Sequence, residues 1–269
     1  MDNITLEDTL LQYQNTKDSN DSVWLKFKEN AEKVEFLLAH RTHIEKHQLG
    51  YGDFSFHYMW LLLLTHLKET HNPKCLEIGV FKGQVISLWS LIAKELDLDI
   101  RIYAISPFEG NADKHSTLMN NRFIKALKRR ISSKIKSDEK LGNSYPKDNY
   151  LEIIDDLFNT FDLEFNKVNK MKGLSSDEDI LSSANRNEYD LIYIDGDHSY
   201  EAVKNDILNY SKLIKSGGYL VIDDASSNLE GSVFWKGHKE VSKATDDIMP
   251  SLPFDNILNV GHNRVFRKQ

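Results

Sequence analysis

Four carboxylates follow two short apolar stretches of this sequence, two after each stretch. Asp195 and Asp197 come after the first, and Asp223 and Asp224 come after the second. Carboxylates crowded together repel one another, and a divalent cation would relieve that repulsion. Oxygen ligands suit Mg²⁺, Mn²⁺ or Ca²⁺ better than zinc. The pattern therefore predicts a divalent-cation site, although a single aspartate after a strand can instead cap the next helix.

Two predicted strands must position these acids. Leu191–Ile194 and Tyr219–Ile222 are short apolar runs, which are typical of strands buried in a parallel sheet. Apolar residues at helical spacing begin near Tyr200 and stop before Gly217, which indicates a helix between the two strands. In an open α/β sheet, ligands bind beyond the carboxyl ends of the strands. We therefore expect all four carboxylates on one edge of a sheet.

A glycine-containing turn follows the first predicted core strand. It has the form Glu77-x-Gly79-x-x-x-Gly83 and leads into a predicted helix. Glycines let the backbone pass close to a ligand, and a helix N-terminus offers free N–H groups. Phe81 occupies the middle glycine position of the dinucleotide-binding motif, which weakens a pyrophosphate-binding interpretation. Glu77 suits a ligand that carries a positively charged amino group.

Two further turns are candidate ligand contacts. The second predicted strand, Ile100–Ile105, ends at Ser106, where an acid that holds ribose hydroxyls is usual. Glu109 follows a few residues later, so the ribose contact is left open between these side chains. The third predicted strand, Glu164–Lys170, leads to a turn that contains Ser175, where backbone groups could read an adenine edge.

Residues 1–70 are predicted to form an N-terminal helical cap. Residues 1–20 are polar without a sustained period and predict a loose arm. Val23–His47 and Phe56–Glu69 have helical periodicity, and the second is very apolar and needs a partner surface. One face of the first helix carries three histidines, which is more typical of a solvated or interface face than of a metal site: His40, His43 and His47.

Residues 71–269 are predicted to form a doubly wound, mostly parallel seven-stranded sheet. Its C-terminal segment predicts an antiparallel edge hairpin. A basic, helical insertion lies at about 111–150 and lacks the interleaved aromatic residues that stack on bases. A lid or a subunit interface is therefore favoured over a nucleic-acid-binding arm.

Composition limits the partners and the compartment. The 269-residue chain has a net charge of -7, so we expect no nucleic acid partner. Its single cysteine, Cys75, allows no intrachain disulfide and fits a reducing cytoplasm. The longest apolar run, Met59–Leu64, is too short to span a membrane, and the N-terminus does not resemble a signal peptide. A cytoplasmic protein without a membrane partner is expected.

Three motifs together resemble those of class I S-adenosylmethionine-dependent methyltransferases. The closest resemblance is to the metal-dependent, macrocin-type sugar O-methyltransferases. The resemblance covers about residues 71–269 and implies a Rossmann-like methyltransferase fold. The motifs that carry it are Glu77-x-Gly79-x-x-x-Gly83, Asp195-Gly-Asp197-His198-Ser-Tyr and Gly217-Gly-x-x-x-x-Asp223-Asp224.

The resemblance assigns the acids to separate roles. It implies that Asp195, Asp223 and Asp224 hold Mg²⁺ or another hard divalent cation. Asp197 matches the proposed general base, and His198 beside it could also take the proton. The implied reaction methylates a hydroxyl of a small molecule, a sugar being one candidate.

The resemblance also implies a binding site for S-adenosyl-L-methionine. Ser106 departs from the family pattern, which usually has an acid at this position. Two alternatives stay open, a metal-independent methyltransferase of the same fold and a non-catalytic cofactor-binding scaffold. Homo-oligomer formation is also left open. The expected cofactor-binding residues are Glu77, Gly79, Gly83, Ser106, Ser175 and Asp195.

Overall fold

The computed structural model describes residues 5–110, 143 and 145–269. Most of the predicted basic insertion therefore lies outside the described residues. The helices are α1 Leu6–Gln12, α2 Lys17–Lys33, α3 Glu35–His47, α4 Ser55–His66, α5 Gln84–Leu96, α6 Tyr150–Thr160, α7 Glu178–Ala184, α8 Tyr200–Tyr210 and α9 Lys239–Ile248. The strands are β1 Lys74–Ile78, β2 Arg101–Ser106, β3 Asn169–Lys172, β4 Tyr189–Ile194, β5 Ile214–Ile222, β6 Phe254–Val260 and β7 Asn263–Lys268.

The seven strands form one sheet in the order β3-β2-β1-β4-β5-β7-β6. Strands β1 to β5 pair in parallel, whereas β7 is antiparallel to both β5 and β6. The predicted doubly wound, mostly parallel sheet with a C-terminal antiparallel hairpin is confirmed. The strand order reverses between β1 and β4, and ligands of such sheets bind at this reversal, beyond the carboxyl ends of the strands.

The central strands are buried on both faces, as their continuous apolar sequences predict. Side chains alternate along β4, so Leu191 and Tyr193 pack in one core and Ile192 and Ile194 in the other. The first core contains α4, α5 and α6, and the second contains α7, α8 and α9. The sheet edge between these two helical layers is where side chains beyond the strand ends can meet.

The N-terminal helices pack on the α5 side of the sheet. Trp60 of α4 lies edge-on to Trp89 of α5 and to Tyr193 of β4, with ring centroids 5.1 and 5.0 Å apart. Nine of the twelve residues of α4 are buried, as expected for a helix with apolar residues on every face. No helix in the described part of the chain is long and apolar enough to cross a membrane.

Two predictions for the N-terminal helices are wrong. The expected loose arm over residues 1–20 contains α1 and the start of α2, and α1 begins with a capping box between Thr5 and Asp8. That box satisfies N–H groups that a short polar segment would otherwise expose. The single helix expected over Val23–His47 is divided at Val34, whose extended backbone (φ -99°, ψ 107°) separates α2 from α3.

The third strand lies later in the sequence than predicted. It spans Asn169–Lys172, whereas the apolar pattern predicted Glu164–Lys170. Phe165–Lys167 instead forms a 3₁₀ turn, and the Phe165 ring packs on Phe158 with centroids 5.1 Å apart. The apolar residue that suggested a strand is therefore a core contact of the preceding turn.

Candidate active site

The carboxyl ends of β1, β4 and β5 are joined by backbone hydrogen bonds. The Asp195 N–H donates to the Ile78 carbonyl at 2.8 Å, and the Asp223 N–H donates to the Ile194 carbonyl at 3.0 Å. Gly79 has φ 99°, and a Cβ there would lie 1.9 Å from the Asp195 carbonyl oxygen. Glycine is therefore required at 79 because the turn after β1 passes directly against the turn after β4.

Three of the predicted acids meet at this edge. Asp195 hydrogen bonds to Asp223, and burial, followed by the charge of Asp223, raises the pKa of Asp195 well above its ordinary value. Burial and Asp223 also raise the pKa of Asp224 to about 9. Asp224 has φ 55°, in the left-handed region that non-glycine residues rarely adopt, and such strain is typical of functional sites. Three ionised carboxylates this close together repel one another, so the cluster is electrostatically unfavourable unless protons or a cation neutralise it.

Three histidines surround the Asp223–Asp224 pair. The Nε2 atoms of His198 and His238 lie 3.3 and 3.6 Å from Asp224 Oδ2, and their rings stack with centroids 4.6 Å apart. His262 Nε2 lies 3.2 Å from Asp223 Oδ1. The sequence predicted only His198 at this site. The other two follow a glycine in a turn, and that signal is too common to have identified them.

Backbone contacts hold the two unpredicted histidines in place. The His238 N–H donates to the Asp224 carbonyl at 2.9 Å, and the Ala225 N–H donates to the His262 carbonyl at 2.9 Å. Gly237 comes so close to Asp224 that a Cβ at position 237 would lie 2.3 Å from its backbone. The loop before α9 and the β6–β7 turn are therefore both attached to the end of β5.

Asp197 does not join the other acids. It is exposed, and its Oδ1 accepts a hydrogen bond from the Ser199 N–H at 2.7 Å, just before α8. This bond closes a turn just before the helix; it is not a helix cap, because the N-cap of α8 is Ser199 and no side chain caps that end. His198, the next residue, points toward the acids instead, and its ring faces Asp224.

Two cavities meet at this edge of the sheet. The first, of about 560 Å³, contains the acids and the three histidines, and its other walls come from the N-terminal helices and the loop before α9. The second, of about 400 Å³, lies over the ends of β1, β2 and β3 and includes Asp197. Four residues line both cavities, namely Gly79, Phe81, Tyr145 and Asp195.

Four of the six predicted cofactor-binding residues line the second cavity: Gly79, Ser106, Ser175 and Asp195. The Ser106 hydroxyl is already used within the protein, since it donates to the Val80 carbonyl at 2.7 Å and accepts from the Phe108 N–H at 3.1 Å. The exposed Glu109 lines the same cavity.

The other two predicted cofactor-binding residues lie elsewhere. Glu77 lines the first cavity; its Oε2 has no hydrogen-bond partner among the described residues, and burial raises its pKa to about 8 despite a hydrogen bond from the Ile86 backbone. Gly83, with φ 85°, faces Ile154, whose side chain would be 2.9 Å from a Cβ. Glycine at 83 is therefore favoured both by the left-handed backbone at the start of α5 and by the close packing of Ile154.

A buried chain of hydrogen bonds reaches the first cavity. The Ser87 hydroxyl donates to the Gln84 carbonyl, so we assign His40 Nε2–H as the donor to Ser87 Oγ at 2.9 Å. His57 Nε2–H must then donate to His40 Nδ1 at 3.1 Å. Burial lowers the pKa of His40 to about 3, which keeps this ring neutral. The predicted solvated or interface face is therefore wrong for His40.

Comparison with known proteins identifies the family. The protein family described as a methyltransferase domain (Methyltransf_24) matches residues 76–225, more than half of the chain. The chain belongs to this family. The match extends from β1 through the Asp223–Asp224 pair, and it confirms the predicted methyltransferase.

Solved structures show the same fold. The O-methyltransferase NovP has a TM-score of 0.53 and 17% identity, with 79% of each chain covered. An O-methyltransferase from Bacillus cereus in complex with SAH has a TM-score of 0.53 and 14% identity, with 92% of this chain and 99% of that chain covered. The O-methyltransferase TomG from Streptomyces achromogenes, in complex with SAM, has a TM-score of 0.50 and 14% identity, covering 94% and 99%. These similarities confirm the Rossmann-like methyltransferase fold.

One curated relative matches a shorter segment. The uncharacterized protein R132 of Acanthamoeba polyphaga mimivirus is 39% identical over 66 residues, which are 24% of this methyltransferase. The match spans 30% of the viral protein, less than a third of its length.

Proposed function

We propose that this methyltransferase transfers a methyl group from S-adenosylmethionine to a hydroxyl of a small molecule, a sugar being one candidate, with the assistance of a divalent cation. The observation that carries the proposal is the junction of the two cavities at Gly79 and Asp195. Methyl transfer requires the donor and the acceptor oxygen to be aligned through one shared opening.

The second cavity suits S-adenosylmethionine, which supplies the activated methyl group. Gly79, Ser175 and Asp195 line it in positions where backbone and side chain can contact this ligand. We propose that Glu109 is the acid beside the ribose, because the Ser106 hydroxyl is committed to the Val80 carbonyl.

The acids of the first cavity fit a divalent cation. Asp223 Oδ1 is buried and has no hydrogen bond among the described residues. The carboxylates of Asp195 and Asp224 lie beside it, so a cation could be bound by all three. We propose that Asp195, Asp223 and Asp224 hold the ion, for which the sequence predicts Mg²⁺. A divalent ion there would lower the pKa of an acceptor hydroxyl.

The remaining walls of the first cavity suit a partly apolar acceptor. Aromatic side chains from the N-terminal helices and from the loop before α9 line it and limit access of water, namely Trp24, Phe56, Trp60, Phe234 and Trp235. Polar groups in the same cavity, His198 and His57 among them, can hydrogen bond to hydroxyls. The cavity therefore combines an apolar surface with a few polar contacts, as small-molecule sites usually do.

Calorimetry with S-adenosylhomocysteine tests the cofactor assignment, with NAD as the comparison ligand. The wild-type protein should bind S-adenosylhomocysteine and not NAD. Gly79→Ala should lose this binding, because the new Cβ would lie 1.9 Å from the Asp195 carbonyl oxygen. Gly217→Ala is the matched control, since Gly217 also has positive φ (79°) but has no atom within 4 Å of its Cβ position.

Two results would contradict the proposal. Unchanged affinity in a folded Gly79→Ala protein would place the cofactor elsewhere. Methylation of hydroxyl compounds that continues after a chelator has removed divalent cations would leave the metal-independent enzyme of the same fold as the correct alternative.

A further inference from the structure

Two histidines, His238 and His262, face the acids from outside the segment that matches the methyltransferase family, and His262 contacts both Asp223 and Asp224. His262 lies in the turn between β6 and β7, and its Nε2 is 3.2 Å from Asp223 Oδ1 and 3.6 Å from Asp224 Oδ1. One ligand atom from each of these three side chains lies within 4.8 Å of the other two. Atoms at this spacing can share one ion, because metal–ligand bonds to nitrogen and oxygen are about 2.0–2.2 Å long.

The His262 ring is fixed in its orientation. Its side chain is only 6% exposed, and the ring lies edge-on to Phe56, with centroids 4.5 Å apart, and near Trp235, at 5.0 Å. His262 also hydrogen bonds to the backbone of Trp235. We assign that bond to Nδ1, since Nε2 faces the carboxylates. A histidine whose second nitrogen is held by a backbone group is the usual arrangement for a metal ligand.

The two other histidines occupy a different side of the pair. His198 and His238 face Asp224 Oδ2, whereas His262 faces the Oδ1 atoms of Asp223 and Asp224. An ion between Asp223, Asp224 and His262 would therefore leave the stacked His198–His238 rings on the opposite side of Asp224.

We propose that His262 Nε2 is a ligand of the active-site ion, together with Asp223 and Asp224, an inference that rests on the proposed function. A nitrogen ligand changes the preferred class of metal. Sites made only of oxygen suit Mg²⁺ and Ca²⁺, whereas imidazole suits first-row transition ions, which bind N/O sites more tightly. The ion is then a later transition ion such as Fe²⁺ or Co²⁺, in preference to the Mg²⁺ that the acids alone predict.

Titration calorimetry with Co²⁺ and Mg²⁺ tests this metal preference. The wild-type protein should bind Co²⁺ at least about tenfold more tightly than Mg²⁺, as expected for a mixed nitrogen and oxygen site. His262→Gln should lose that preference and keep its affinity for Mg²⁺. His238→Gln is the matched control and should retain the preference, and Asp223→Asn should weaken the binding of both ions.

Electron spin-echo envelope modulation of the Mn²⁺-loaded protein gives a readout that is independent of turnover. Wild type should show coupling to a histidine nitrogen, which changes when isotope-labelled histidine is incorporated. His262→Gln should lose this coupling, and His238→Gln should keep it. If His262→Gln fails to fold, coupling that is retained in both His198→Gln and His238→Gln assigns it to His262, because these two are the other histidines within 4 Å of the Asp223–Asp224 pair among the described residues.

The outcomes separate this inference from the proposed function. Tight Mn²⁺ binding without nitrogen coupling in wild type would overturn the role of His262 and leave an all-oxygen site. Nitrogen coupling that persists in a folded His262→Gln protein would also overturn it. Failure of wild type to bind any divalent ion, with S-adenosylhomocysteine binding intact, would overturn this inference together with the metal assistance, but not the cofactor assignment.

Discussion

Asp197 and His198 are adjacent in the sequence, but they line different cavities. Asp197 lines the cavity over β1, β2 and β3 and accepts a hydrogen bond from the Ser199 N–H. His198 lines the cavity that holds the acids, and its Nε2 is 3.3 Å from Asp224 Oδ2. Of the two candidate proton acceptors, the position of His198 is therefore the more suitable for an acceptor hydroxyl.

We predict that His198→Gln lowers kcat by about 10²-fold or more, the usual contribution of a positioned general base. Asp197→Asn should have a much smaller effect, since its side chain lies outside the first cavity. The measurement is kcat with a hydroxyl acceptor at saturating cofactor and metal, compared between wild type and the two variants. Equal losses of kcat in both variants would contradict this assignment.

The sequence predicted individual residues well where strand ends dictate their position. Asp195, Asp223 and Asp224 each follow a continuous apolar strand, so their convergence follows from a parallel sheet alone. His238 and His262 could not be predicted in the same way. Their positions depend on the contact between Gly237 and Asp224 and on the pairing of β6 with β7, which are long-range features.

At the scale of elements, α2 holds the loop that precedes α9. Asp21 accepts hydrogen bonds from the Ser232 N–H at 2.7 Å, the Ser232 hydroxyl at 2.6 Å and the Val233 N–H at 3.3 Å, and Lys17 Nζ lies 3.2 Å away. The same loop contributes Phe234 to the first cavity. The position of this cavity wall therefore depends on one carboxylate of a distant helix.

We predict that Asp21→Asn lowers the free energy of unfolding by about 1.5–3 kcal/mol, because hydrogen bonds to a charged acceptor contribute that much. The asparagine amide would place a donor against Ser232 or Lys17, which are donors already. Asp18→Asn is the matched control, since that side chain is 98% exposed. Urea denaturation at pH 7 measures both changes, and equal stabilities of the two variants would contradict the prediction.

The pH dependence of this difference gives a second check. Burial alone would raise the pKa of Asp21, but the hydrogen bonds from Ser232 and Lys17 outweigh it and hold the pKa at about 2. A carboxylate with a depressed pKa stabilises the folded state above its unfolded pKa of about 3.9. Its contribution is lost as the pH falls through about 2. The difference between wild type and Asp21→Asn should therefore shrink below about pH 4.

Elements were predictable where local pattern and packing agree. The apolar parts of β1, β2, β4 and β5 lie close to their predicted positions, but β5 begins at Ile214, five residues before the predicted Tyr219, and the preceding helix ends earlier, at Tyr210. The break between α2 and α3 was missed because apolar spacing continues across Val34, although the backbone there is extended. The position of β3 was missed because a core aromatic, Phe165, resembles a strand residue.

At the scale of the whole molecule, the cap and the sheet share one hydrophobic core. Residues from α1, α2 and α4 pack in the same core as residues from β1, β4 and β5. Asn259 of β6 also donates to the Tyr13 hydroxyl at 2.7 Å, which connects the N-terminal segment to the last hairpin. The predicted cap is therefore not expected to unfold separately from the sheet.

We predict that native-state hydrogen exchange gives α4 and β4 the same free energy of opening, because both are released only by global unfolding. The seven-residue helix α1 is the internal control and should open at lower free energy, because it is short and buries only Leu6 and Thr9. Mass spectrometry over increasing denaturant resolves the three segments. A markedly lower value for α4 than for β4 would indicate a cap that unfolds independently.

The shared wall of the first cavity has a consequence for finding the acceptor. Trp24, Phe56 and Trp60 of the cap and Gly79 and Asp195 of the sheet edge line the same space. A compound that fills this space contacts both parts, and binding to the folded state alone raises the melting temperature by an amount that grows with the logarithm of ligand concentration over Kd. Shifts in melting temperature across a library of hydroxyl compounds can therefore rank candidate acceptors before any methylated product has been identified.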